Sequence, residues 1–155
     1  MQHRFSPLLV LPFLVFALLL TACDSSSESE SVAGRYALVR FSGESLPATA
    51  LRTADGCGDG DALLVDATDG SLTLEEDDSF TSSITYRTHC GNSEQALSEQ
   101  TVEGEGTYTL DGSTIRFSSD AGVYSGTLDG DAITTEETVP TTGGGSEPVA
   151  ARYER

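Results

Sequence analysis

The stretch Thr101–Phe117, TVEGEGTYTLDGSTIRF, decides the fold class. Val102, Gly104, Gly106, Tyr108 and Leu110 recur with a period of two, and the residues between them are Thr or Glu. A helix buries positions three and four apart, whereas a half-buried strand alternates, so this is a strand. Asp111-Gly112 then marks a tight hairpin turn, because glycine accepts the positive φ that such turns need. Ile115 and Phe117 return on the next strand. The same arrangement follows in YSGTLDGDAITTE, where Tyr124, Gly126 and Leu128 precede Asp129-Gly130 and Ile133 comes after. Two copies of Thr-Leu-Asp-Gly-x-x-Ile make successive hairpins of a meander, too few for a solenoid.

Working outward, SLTLEEDDSFTSSITYRTHC gives Leu72 and Leu74, an acidic turn at Glu75–Asp78, and a long strand. Phe80, Ile84, Tyr86 and Cys90 share one face of that strand, with Thr81, Thr85, Arg87 and His89 on the other. GRYALVRF is a first strand, ALLVDA a short one, and EPVAARYER a last one with Val149, Ala151 and Tyr153 on a face. Ser42–Asp61, Gly91–Gln100 and Thr141–Pro148 read as connections, and Ala96-Leu97 offers at most a helical turn. Eight or nine sequential antiparallel strands predict an up-and-down β-barrel, since closure removes exposed edges.

Every tyrosine of the chain, Tyr36, Tyr86, Tyr108, Tyr124 and Tyr153, falls on an inward face. Two readings follow. The rings fill a small barrel, or they line a pocket with Phe80, Phe117 and Ile115 as its apolar wall. The domain's length and modest aliphatic content favour a packed interior.

The N-terminus has a different character. Met1–Arg4 is basic, and Leu8–Leu20 is an apolar run of thirteen residues. That is short for a membrane span and right for the apolar part of a secretory signal. Leu20-Thr21-Ala22-Cys23 resembles the bacterial lipobox, which implies cleavage before Cys23 and its modification with palmitate-type acyl chains. More than one chain makes such an anchor stable. The expected organisation is a signal peptide over residues 1–22, a lipidated Cys23 with an acidic, serine-rich disordered tether to residue 31, and a barrel over 32–155. The anchor membrane faces the periplasm or the exterior. Asp24 resembles an inner-membrane retention signal of enterobacterial lipoproteins.

With Cys23 assigned to lipid, Cys57 and Cys90 are left to form one disulfide in an oxidising compartment, the alternative being two free thiols. The formal net charge is −17, with no lysine at all. Such a surface repels phosphate backbones and anionic headgroups, which argues against nucleic acid and against electrostatic membrane docking.

Three candidate chemistries are weak. Asp55, Asp59, Gly60 and Asp66 match positions 1, 5, 6 and 12 of a calcium loop, and Asp61 adds a carboxylate. Cys57 occupies a ligand position, however, and the flanks are not helical. His89 is the sole histidine after Cys23, points outward by alternation, and has no Gly-x-Ser-x-Gly elbow to serve. One histidine with no free cysteine makes no catalytic zinc set. No cofactor, no metal and no catalytic residue is expected.

GRYALVRFSGESLP, SLTLEEDDSFTSSITY, GTYTLDGSTIRF and the closing ARYER together resemble the lipocalin-like domain of small bacterial lipoproteins. Tyr36 stands where lipocalins have Trp in Gly-x-Trp, so the resemblance is to lipocalin-like domains, not to classical lipocalins. It implies an up-and-down barrel and no catalytic residues. Two functions remain open. One is a non-enzymatic, monomeric binder of a small apolar ligand inside the barrel. The other is an envelope structural or interaction module with a filled interior, acting through its surface.

Overall fold

The computed structural model describes residues 31–58, 60–91, 93, 95–140 and 146–155. The expected signal peptide, the expected lipidation site at Cys23 and nearly all of the expected tether therefore lie outside the described residues, as does Asp59 of the calcium candidate.

The described chain is all-β, with ten strands in one sheet. They are β1 (Gly34–Phe41), β2 (Glu44–Ser45), β3 (Ala48–Gly58), β4 (Asp61–Leu74), β5 (Ser79–Cys90), β6 (Ala96–Asp111), β7 (Thr114–Ser119), β8 (Gly122–Asp129), β9 (Ala132–Pro140) and β10 (Ser146–Glu154). From β4 to β10 each strand pairs antiparallel with the next, and β1 fills the place between β10 and β4. That closes an eight-stranded barrel. The edge of β4 serves two neighbours: Leu63–Ala67 pair with β3, and Ser71–Leu74 pair with β1. A register shift between Ala67 and Asp69 separates the two halves.

The two Thr-Leu-Asp-Gly hairpins form as the pattern requires, with the turn one residue later than Asp-Gly suggests. Asp111 pairs with Thr114 and Asp129 with Ala132, so the two-residue loops are Gly112-Ser113 and Gly130-Asp131. Gly112 and Gly130 take φ of 60° and 58°, the left-handed conformation that a side chain disfavours. The acidic turn after β4 is tied by Asp77, whose carboxylate accepts from the Ser79 amide at 3.1 Å and hydroxyl at 2.6 Å.

Two expected connections are strand instead. Ala48–Gly58 is β3, and Ala96-Leu97 opens β6 without any helical turn. Glycine and aspartate near Cys57 obscure the alternation, yet Ala48, Leu51 and Thr53 pair with Ala67, Val65 and Leu63, across a register shift between Thr49 and Leu51. The expected Cys57–Cys90 disulfide is present, with Cα atoms 5.8 Å apart, and it staples the tip of β3 to the end of β5.

The barrel has two unlike ends. Near the hairpin turns of residues 75–78, 112–113 and 130–131 the interior is packed: Tyr36, Leu72, Leu74, Ile115 and Ile133 are all at most 2% exposed. Full burial of a side chain of this kind contributes about 1.5–3 kcal/mol. Two tyrosine hydroxyls seal this end. Tyr108 donates to the Glu75 carbonyl at 2.9 Å, and Tyr36 donates to the Val32 carbonyl at 2.7 Å. Arg155 completes the seal: its Nη2 donates to the carbonyls of Ser31, Val32 and Ala33 and to the Tyr36 hydroxyl. Its guanidinium also lies 4.9 Å from the Tyr36 ring centroid, a cation–π distance.

The other end is open. β7 pairs with β6 only from Gly106 onward, and β8 pairs with β9 only over Gly126–Asp129. Among the described residues, Ala96–Glu105 of β6 and Glu136–Pro140 of β9 thus have a strand on one side only. A notch remains above the short β7–β8 turn.

Candidate functional site: an aromatic cavity with one inner carboxylate

Behind that notch lies a cavity of about 470 Å³. Against the expectation of a filled interior, the barrel is packed in its closed half and hollow in its open half. Long strands explain this. β4, β5 and β6 run 14, 12 and 16 residues, whereas β7 and β8 run 6 and 8, so the tall wall has no counterpart to fill the space.

The floor is aromatic. Phe117 stacks on Tyr124 at 4.9 Å between centroids and 17° between planes. Phe80 meets Phe117 edge-on at 5.0 Å and Tyr124 at 6.3 Å. The walls are Leu51 from β3, Val65 from β4, Ile84 and Tyr86 from β5, Val139 from β9 and Tyr153 from β10. Ser82, Thr88, Ser98 and Gln100 add hydroxyls and an amide on the β5–β6 side. Val102 lies at the mouth, 51% exposed.

Of the eight residues expected to line a pocket, Tyr86, Tyr124, Tyr153 and Phe80 do so. Phe117 lies beneath Tyr124 as part of the floor. Tyr36, Tyr108 and Ile115 belong to the packed half and do not reach the cavity.

Glu137 is the functional group that sequence reasoning missed. The signal was available, since counting by two from Ile133 through Thr135 reaches Glu137 on the inner face of β9. Thr135, 2% exposed, donates from its hydroxyl to Glu137 Oε1 at 2.9 Å. Burial holds the Glu137 carboxyl above the ordinary value of 4.5, opposed by the weaker pull of hydrogen bonds from Thr135 and Tyr153. The carboxylate is felt by all three cavity tyrosines. Tyr86 is pushed up to about 12, first by burial and then by the Glu137 charge. Tyr124 and Tyr153 are raised by the same two causes in the same order. Among the described residues no lysine, arginine or histidine lines the cavity, and Glu103 at its rim is a second acid.

The other candidates lie elsewhere. His89 Nε2 is 2.8 Å from Asp66 Oδ2, and Thr49 donates to Asp66 Oδ1 at 2.9 Å. This pair faces outward, as alternation requires, but the histidine side chain is only 12% exposed, so it is not a free surface residue. Asp66 of the calcium candidate is engaged there, and Asp55 and Asp61 are exposed. Among the described residues no group of three or more His, Cys, Asp or Glu side chains is arranged to hold a metal ion. Comparison of the chain with family models, curated proteins and solved structures finds no match to any of them.

Proposed function

We propose that this chain is a non-enzymatic, lipocalin-like binding protein of the bacterial envelope, held to a membrane by lipid on Cys23, which takes a small, largely apolar molecule into its barrel. The observation that carries the reading is the 470 Å³ cavity with its aromatic floor and aliphatic walls. Ligand sites are typically concave, largely apolar and fitted with a few convergent polar groups, and this cavity has that composition. The Cys57–Cys90 disulfide is in keeping with an oxidising compartment outside the cytoplasm. The lipobox-like Leu20–Cys23 supports the anchor.

Native mass spectrometry of the protein purified gently from its own host tests the binding role. An extra mass that disappears on organic extraction is expected, and it would identify the ligand class. A bare mass, together with no uptake of a neutral apolar dye, would instead favour the surface-module reading.

A further inference from the structure

Among the described residues, the cavity lining holds the Glu137 carboxylate and no cationic side chain. A charge removed from water is costly unless it is paired, and the described lining supplies hydroxyls but no positive partner for Glu137. A proton or a cationic ligand can supply the counter-charge. Three tyrosines line the same cavity as this carboxylate, each close enough to register its charge. Aromatic rings attract cations through their electron-rich faces, and a carboxylate set among several rings is a chemically apt receptor for an ammonium group. An anionic ligand would meet Glu137 inside and Glu103 at the rim, with no cationic side chain among the described lining residues to neutralise it. The whole chain, at −17, also concentrates cations near its surface.

We propose that the ligand is a small organic cation, an aryl- or alkylammonium whose positive head meets Glu137 among Tyr86, Tyr124 and Tyr153 and whose apolar body rests on Ile84 and Val139. This specifies the ligand class and rests on the reading of the barrel as a binder. Ion pairing needs ionised Glu137, so ammonium affinity rises with pH as the carboxyl loses its proton. The other titratable groups facing the site are Tyr86 of β5, Tyr124 of β8, Tyr153 of β10 and Glu103 of β6. The three tyrosines are held neutral well into the alkaline range.

The test is displacement of the neutral dye N-phenyl-1-naphthylamine from the purified full chain by three matched probes: benzyltrimethylammonium, benzyl alcohol and benzoate. The ammonium is expected to bind roughly tenfold or more tighter than the alcohol, with benzoate weakest. That preference should grow as pH rises through the range where the Glu137 carboxyl, held above its ordinary value, loses its proton, and should collapse in Glu137→Gln. Dye binding with equal displacement by all three probes, or with benzoate strongest, overturns the cation inference and leaves the binder standing. Failure to bind the dye or any probe overturns both. The probe ranking on the unaltered chain decides the matter even if Glu137→Gln does not fold.

Discussion

The Thr135 hydroxyl and Glu137 Oε1, two residues apart on the inner face of β9, lie 2.9 Å from each other. A buried threonine thus points its one donor at a carboxylate that burial keeps above its ordinary range. The folded state holds the Glu137 proton more tightly than the unfolded chain does. Its contribution to stability is fully present below the ordinary value of 4.5 and is lost as pH rises through the higher folded value. Glu137→Gln, which keeps an acceptor for Thr135 but cannot ionise, is expected to melt higher than the parent at neutral pH. The difference should close in acid. Thermal denaturation of both proteins across pH, without ligand, measures it; a gap that widens in acid would contradict the assignment.

Gly106 fixes how close β6 and β7 come over the aromatic floor. A Cβ there would run into the Ser118 carbonyl oxygen and stand 2.9 Å from Phe80 Cε1. The obstacle is backbone, so the neighbouring strand must move. Overpacking of this kind costs about 1–3 kcal/mol. Gly106→Ala is expected to lower Tm by several degrees, whereas Glu105→Ala, one residue away and exposed, leaves it nearly unchanged. Equal melting of the two variants would mean that the strands separate without penalty.

Cys57 and Cys90 stand 33 residues apart in sequence. In the chain-entropy model, closing a loop of that length stabilises by about 3–4 kcal/mol. Denaturant unfolding of a Cys57→Ser/Cys90→Ser variant should show a loss of that order. Dye affinity should fall as well, because the bond holds β3, which carries Leu51, against the tall wall. Unaltered dye affinity in a variant that remains folded would show that the cavity keeps its shape without the staple.

Cys23→Ala tests the proposed anchor. Cells expressing it are expected to lose the protein from the membrane fraction, since a lipobox without its cysteine cannot be acylated. Undiminished membrane association of the variant would sink lipid anchoring.

The closed barrel was legible because its hairpins are local: alternation and a glycine at the right place are enough to write them. β3 was harder. Its pairing with β4 shifts register between Thr49 and Leu51 and again between Thr53 and Gly58, so glycine and aspartate dominated a strand whose order comes from its neighbour. The inward tyrosines were visible for the same reason as the hairpins. Their division into a packed set and a cavity set was not, because it depends on how far β7 and β8 rise beside β6. Glu137 was overlooked for a different reason. A glutamate on a strand is usually solvated, and the alternation that puts this one on the inner face of β9 carries no mark of the cavity that it faces.

Arg155 gathers the carbonyls of Ser31, Val32 and Ala33 at the sealed end of the barrel, while the notch and Val102 lie at the far end. The chain therefore leaves the domain through its base. With the proposed lipid anchor on Cys23, a tether from that point would hold the barrel as a stem holds a cup, with the mouth turned outward. On a lipid-anchored protein, cargo would be collected from the aqueous side and not drawn out of the bilayer beneath.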